Sequence, residues 1–179
     1  MMTIGETGGT AAAMERTEKY LTFRLADEEY GIGILGVQEI VSWLDITRIP
    51  RTPEFIRGVI NLRGRVIPVL DLRARFGLPP QAQTPQTCIV VLQVRREGGR
   101  ITVGAIVDEV TEVLDLAPSQ IDPVPEMGLA VDTAFLAGIG KSGRRVIILL
   151  EVARILATRE WISVEQTAHH NEKKETKHE

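Results

Sequence analysis

Residues 55–72, "FIRGVINLRGRVIPVLDL", and residues 135–152, "FLAGIGKSGRRVIILLEV", are two copies of one pattern, and they decide how the rest of the chain is read. They align without a gap at an offset of 80: Phe55 falls on Phe135, Gly58 on Gly138, Val66-Ile67 on Val146-Ile147 and Asp71 on Glu151. In the first copy two strand-like runs, "GVINL" and "VIPVLDL", are joined tightly at Arg63-Gly64, which reads as a hairpin. Pro68 has no N–H to give a ladder, so its strand is expected at an edge, or with Pro68 facing outward.

The repeat continues upstream. "VQEIV" at 37–41 matches "VTEVL" at 110–114 at an offset of 73, and Gly31 falls on Gly104 and Pro50 on Pro123. The step from 73 to 80 locates a seven-residue insertion in the Pro-rich loop after 123. A fixed offset sustained over both halves is the mark of a duplicated unit.

Each half then reads as strand, turn, strand, short helix, strand and hairpin. In the first, Leu21, Phe23 and Leu25 alternate with Tyr20, Thr22 and Arg24, and Tyr30, Ile32 and Ile34 alternate with Gly31 and Gly33. Val37, Ile40, Val41 and Leu44, spaced i, i+3, i+4, i+7, predict a short amphipathic helix. Its counterpart "VTEVLDL" fits helix or strand equally. Thr52-Pro53 reads as a helix start, and "EVARIL" as a last helical turn or two. Five short strands per half imply a mainly β fold of small, closed or nearly closed barrels, because closure hides edges that would otherwise pair promiscuously. Side chains just fill a barrel of this size, so the binding surface is expected outside, in the groove between the halves.

"GLPPQAQTPQ" separates halves of about 18–80 and 86–156 within one domain at 18–160. Residues 1–17, rich in Gly, Thr and Ala, read as a disordered leader, and residues 163–179 as a disordered charged tail. All three histidines (His169, His170, His178) lie in that tail. The net charge of −3 gives no electrostatic footprint for nucleic acid. The longest apolar runs hold five residues, far short of the roughly 18–20 that cross a bilayer, and a cytoplasmic location is expected. Cys88, the single cysteine, sits in an apolar run and reads as a small core residue.

Two glycine patterns raise a nucleotide-binding enzyme as a distant alternative: Gly31, Gly33 and Gly36, and again Gly138, Gly140 and Gly143, fit G-x-G-x-x-G. A dinucleotide loop needs a turn at the first glycine and a helix after the third. Here the strand alternation runs through the first set, and the second precedes a hairpin strand. Without a histidine in the folded region, Ser-His-Asp and Cys-His arrangements are absent, and Asp71 and Glu151 read as anchors of chain reversals. No catalytic, cofactor or metal site is expected.

At "NLRGRVIPVLDLR", preceded by "TPEFIRGVI" and "DEEYGIGILGVQEI", the chain resembles the CheW family from about Tyr20 to Leu156. The resemblance implies two five-stranded SH3-like β-barrels around a shared core. It also implies a non-catalytic adaptor in chemotaxis signalling, coupling the signalling-tip coiled coil of chemoreceptors to the regulatory domain of a CheA-type histidine kinase. A same-fold adaptor of a pilus-type chemosensory pathway is the alternative. Val37, Glu39, Gly58 and Arg63 fall on family positions associated with receptor coupling; Arg63 has Gly143 as its counterpart, Glu39 recurs as Glu112, and a structural role for Glu39, Gly58 or Val37 stays open. Ile40, Trp43 and Ile46 are the expected kinase contacts, with core burial of Ile40 as the competing reading.

Overall fold

The computed structural model describes residues 16–125 and 133–156; the expected tail, most of the leader and part of the Pro-rich insertion lie outside the described residues. The order is β1 (Glu18–Leu25), β2 (Glu28–Gly33), β3 (Val37–Ser42), β4 (Ile56–Leu62), β5 (Arg65–Asp71), a one-turn α1 (Leu72–Arg75), β6 (Cys88–Arg96), β7 (Gly99–Val107), β8 (Glu109–Leu116), β9 (Ile121–Asp122), β10 (Leu136–Ser142), β11 (Arg145–Leu150) and a one-turn α2 (Val152–Ile155). Two sheets result, ordered β8-β1-β2-β11-β10-β9 and β3-β6-β7-β5-β4. The second gains its own sixth member as a stub, the single bridge Thr47 to Val59, which answers β9 in the first.

The two orders are the same once the repeat is applied, but each half places its opening hairpin in the other half's sheet. β1–β2 pairs with β8 and, in parallel, with β11; β6–β7 pairs with β3 and, in parallel, with β5. Gly31 faces Leu149 at one parallel junction and Gly104 faces Val69 at the other. A Cβ at Gly31 would lie 3.0 Å from the end of the Leu149 side chain across the junction, and one at Gly104 only 2.7 Å from Ile89 on the neighbouring β6, so both positions are tight for any larger residue.

Each sheet curls until its ends meet. Arg63, in the β4–β5 turn at one end of its sheet, reaches Glu39 on β3 at the other; Arg145 at the start of β11 reaches Glu112 on β8. The seam of each barrel is therefore closed by side chains.

Strand alternation builds three cores. On β6, Ile89 and Val91 point into their own barrel with Ile60, Ile67 and Val69, whereas Val90, Leu92 and Val94 point into the core shared by both sheets. That double burial explains the unbroken apolar run at 88–92. Phe23, Leu25 and Tyr30 enter the shared core from the other sheet, and Leu116, Ile147 and Leu149 fill the other barrel. An aromatic file, Phe23, Tyr30, Phe76 and Phe135, crosses the shared core with centroids 6.0, 5.7 and 6.3 Å apart. The Arg75 guanidinium lies 4.2 Å from the Phe135 centroid and 5.0 Å from that of Phe55, so the two repeat-related rings share one cation.

Several local expectations are corrected. Residues 37–42 form a strand with a bulge between Val37 and Glu39: Val37 turns to the shared core, Glu39 and Val41 to the interior of their own barrel, and Gln38, Ile40 and Ser42 are exposed. The apolar spacing also fits a helix, but the β-branched residues and the open edge of β6 claim the backbone for a ladder. "VTEVLDL" resolves the same way, as β8. No helix starts at Thr52-Pro53: the Thr52 hydroxyl donates to the Ile49 carbonyl, and a single turn closes from Ile56 N–H to the Pro53 carbonyl. α2 bears out the last predicted helical turn. The strand carrying Pro68 is interior, yet Val59, opposite Pro68, sends both backbone groups to Thr47. Pro68 therefore lacks its N–H on the side away from β4, before pairing with β7 begins at Val69. Asp71 does anchor a chain reversal, accepting from the Ala74 N–H at 3.2 Å, whereas Glu151 makes no cap bond with its side chain.

Candidate functional site

The hairpin Leu62–Arg65 turns on two residues in the left-handed region, Arg63 at φ 52° and Gly64 at φ 85°, the geometry that matches the twist of adjoining strands. The Asn61 side chain accepts from the Gly64 N–H at 2.8 Å and fixes the turn. Arg63 is thereby aimed across the barrel seam at Glu39, and its two terminal nitrogens donate to the two carboxylate oxygens, each at 2.8 Å. This fork leaves 72% of the arginine side chain exposed against 22% of the glutamate, so the guanidinium faces solvent with its orientation already set. The hydrogen bonds from Arg63 hold the Glu39 carboxyl below the usual range, and Glu39 raises the guanidinium in return.

The other expected residues divide by position. Val37, opposite Leu92 and separated from Glu39 by a bulge, lies on the other face of the sheet from Glu39 and is half-buried against the shared core. Ile40, opposite Val90 and pointing away from the barrel interior that Glu39 and Val41 face, is 46% exposed, so core burial does not account for it. Ile46 and Gly58 touch each other's space. Gly58 is buried at φ 147°, and a Cβ there would stand 2.2 Å from the Thr47 carbonyl oxygen and 2.9 Å from Ile46. Gly58 thus acts through the fit of the Thr47 segment on β4. Ile46 itself packs half-buried onto the core of this barrel. Trp43 is half-buried apart from the others, beside Arg57, Asp71 and Arg73, on a polar cavity of about 190 Å³. Of the four expected receptor residues, Glu39 and Arg63 meet directly, Val37 lies on Glu39's strand and Gly58 lies in β4, which leads to the Arg63 turn.

Two features lie beyond what sequence reading singled out. A groove of about 610 Å³ runs between the sheets, floored by Ile32, Ile34, Leu92, Val94, Leu150 and Val152, with Leu35 fully exposed at its rim. It is lined from both halves, as expected of the inter-half groove, and it leads through Gly36 to Val37. On its wall the Tyr20 hydroxyl donates to Glu18 at 3.0 Å; burial, then that acceptor, pushes its pKa up to about 12. The second feature is the seam of the other barrel, where Arg145 bonds both Glu29 and Glu112. Glu29 is held below its ordinary range first by those Arg145 hydrogen bonds, against the effect of burial. The repeat carried the signal for this cluster: Glu112 is the counterpart of Glu39 and Arg145 of Arg65. Cys88 is half-buried and its thiol is pushed up by desolvation, in keeping with a packing role. Among the described residues no group of three or more His, Cys, Asp or Glu side chains could hold a metal ion, and no helix is long and apolar enough to cross a membrane.

Duplicated curled sheets that exchange hairpins around one core define the class: a double-barrel β module. Residues 19–160 match the family model of the CheW-like domain. The chain is 38% identical over 168 residues to the chemotaxis protein CheW of Klebsiella aerogenes, covering 94% of this chain and 96% of that one. It is 39% identical over 142 residues to the chemotaxis protein CheW of Helicobacter pylori, covering 79% and 83%. The crystal structure of the scaffolding protein TtCheW from Thermoanaerobacter tengcongensis superposes with a TM-score of 0.72 at 37% identity, over 81% of this chain and 96% of that one. The chain belongs to the CheW family.

Proposed function

We propose that this protein is a chemotaxis adaptor without catalytic activity, acting in the cytoplasm to couple chemoreceptors to a CheA-type histidine kinase. The observation that carries the reading is the Arg63 fork, oriented by Glu39 and exposed beside Val37 and Ile40 at the end of the inter-sheet groove. A helical hairpin tip laid along the groove would bury its apolar side against the floor. It would also offer carbonyls and polar side chains to a guanidinium whose rotamer freedom is already spent. Val37 and Glu39 complete that contact, and Gly58 maintains the strand fit beneath it. Ile40, Trp43 and Ile46 are the kinase-facing residues in this reading. Only Ile40 offers an apolar surface that is largely open, so it is the first of the three to substitute.

The test is capture of a receptor signalling hairpin and of a kinase regulatory domain by the purified full chain. Arg63→Ala should weaken receptor capture about tenfold or more while kinase capture and the thermal midpoint hold, the midpoint to within about 2 °C. Capture of neither partner by the unsubstituted chain overturns the reading. A sharp fall in the midpoint of Arg63→Ala shows instead that the residue serves the fold.

A further inference from the structure

The two barrel mouths are equivalent in the repeat and differ in charge balance. In the seam of the Glu112 barrel, Arg145 is the cation and Glu29 and Glu112 answer it; Arg24 is paired across the ladder with Glu29 and with Glu109. The mouth bearing Arg63 holds less acid, and Glu97 in its β6–β7 turn is exposed and outside the seam. Its one seam carboxylate, Glu39, is taken by Arg63. Arg65, the counterpart of Arg145, finds only the Thr102 hydroxyl, at 3.3 Å, where the other barrel has Glu29. One step further along the same face of β6–β7, Arg95 and Arg100 stand directly opposite each other in the ladder, next to the pair Gln93–Thr102. Like charges so placed repel, and neither arginine forms an ion pair among the described residues. Arg65, Arg95 and Arg100 are all exposed.

We propose that this cationic mouth, formed by Arg65, Arg95 and Arg100 and continuous with the Arg63 site, docks an acidic stretch of polypeptide from a protein partner. Carboxylates are what the equivalent mouth supplies internally to the same arginine position, and here they must come from outside. Three guanidiniums on adjacent strands present forks that match carboxylates, and attraction of this kind speeds and orients encounter. The patch has no aromatic side chain on which a base could stack and no helix or apolar wedge to enter a lipid surface, which favours polypeptide over nucleic acid or membrane. This docking does not depend on which partner Arg63 serves.

The test uses the full chain and fluorescein-labelled deca-glutamate, read by anisotropy at low and physiological salt, with deca-glutamine as the neutral probe. The unsubstituted chain should bind deca-glutamate with an affinity that falls as salt rises, and should not bind deca-glutamine. Arg95→Glu with Arg100→Glu should cost about tenfold or more in affinity. Arg144→Glu, in the β10–β11 turn of the other barrel, should change it less than about twofold. If the double reversal does not fold, Arg95→Gln with Arg100→Gln replaces it, with an intermediate loss expected. Receptor capture is measured on the same variants: loss at Arg63→Ala with deca-glutamate binding kept separates the two sites. The inference is overturned if the double variant binds within about twofold of the parent, or if Arg144→Glu loses as much. It is overturned too if duplex DNA or phosphatidylserine vesicles bind these arginines more tightly than deca-glutamate does.

Discussion

The two barrels solve the same closure problem with different residues. Where the Glu39 barrel spends one exposed arginine from a hairpin turn, the Glu112 barrel spends a strand residue, Arg145, held by two acids, one of them only 17% exposed. The turn position that is Arg63 in one copy is Gly143 in the other. A seam that must only hold is built inward from the strand. The other is closed from the turn by a side chain that stays 72% exposed.

The largest test of this equivalence lies under the seams. Gly58→Ala should destabilise by about 3 kcal/mol or more, because the new Cβ meets the Thr47 carbonyl at 2.2 Å and the backbone stands at φ 147°. Gly138→Ala meets its nearest atoms at 3.0 and 3.1 Å and has no left-handed φ, so about 1–2 kcal/mol is expected from denaturant midpoints. Equal costs would break the claim that the two strand stubs press unequally on their hairpins. Next comes Arg145→Ala, which leaves Glu29 and Glu112 facing each other without their shared cation. A loss on the order of 1 kcal/mol, discounted for the arginine's 40% exposure, should lower the thermal midpoint measurably where Arg63→Ala does not.

The smallest effect is in acid. Arg145 holds the Glu29 carboxyl below its ordinary 4.5, so its stabilisation is complete above that value and drains as pH falls through the lower folded one. Thermal midpoints of the parent and Glu29→Gln should differ at pH 7 and draw together below about pH 4.5. Asp108 adds to the trend from an ordinary value of 3.8: burial works against its charge, but the Arg73 fork and the Ala26 N–H outweigh burial and lower it. A gap that stays constant to pH 3 would show that Glu29 stabilises by packing alone.

Much of this architecture was legible in the residues. The offset of 80 found both closing hairpins, Arg63-Gly64 marked the turn, and the match of Glu39 with Glu112 was visible, though not that each closes a seam. Residues 37–44 misled, because apolar positions at 37, 40, 41 and 44 satisfy a helix while 37, 39 and 41 face inward in the strand. Only the vacancy beside β6, more than 45 residues away, decides between them. The hairpin exchange was hidden for the same reason: alternation tells which face of β1 is buried and is silent on which sheet receives it. Arg65, Arg95 and Arg100 drew no notice one by one, since their meaning comes from the ladder that sets them side by side.

The exchange also fixes an order of events during synthesis. β2 waits for its parallel neighbour until residues 147–149 exist, and β3 waits for β6. A ribosome that has finished the first half has made neither barrel, only two hairpins' worth of apolar strand with open edges. The linker at 77–87 is therefore no boundary between folding units: the Glu39 barrel has its five strands only once β7 is made, and the Glu112 barrel only once β11 is made.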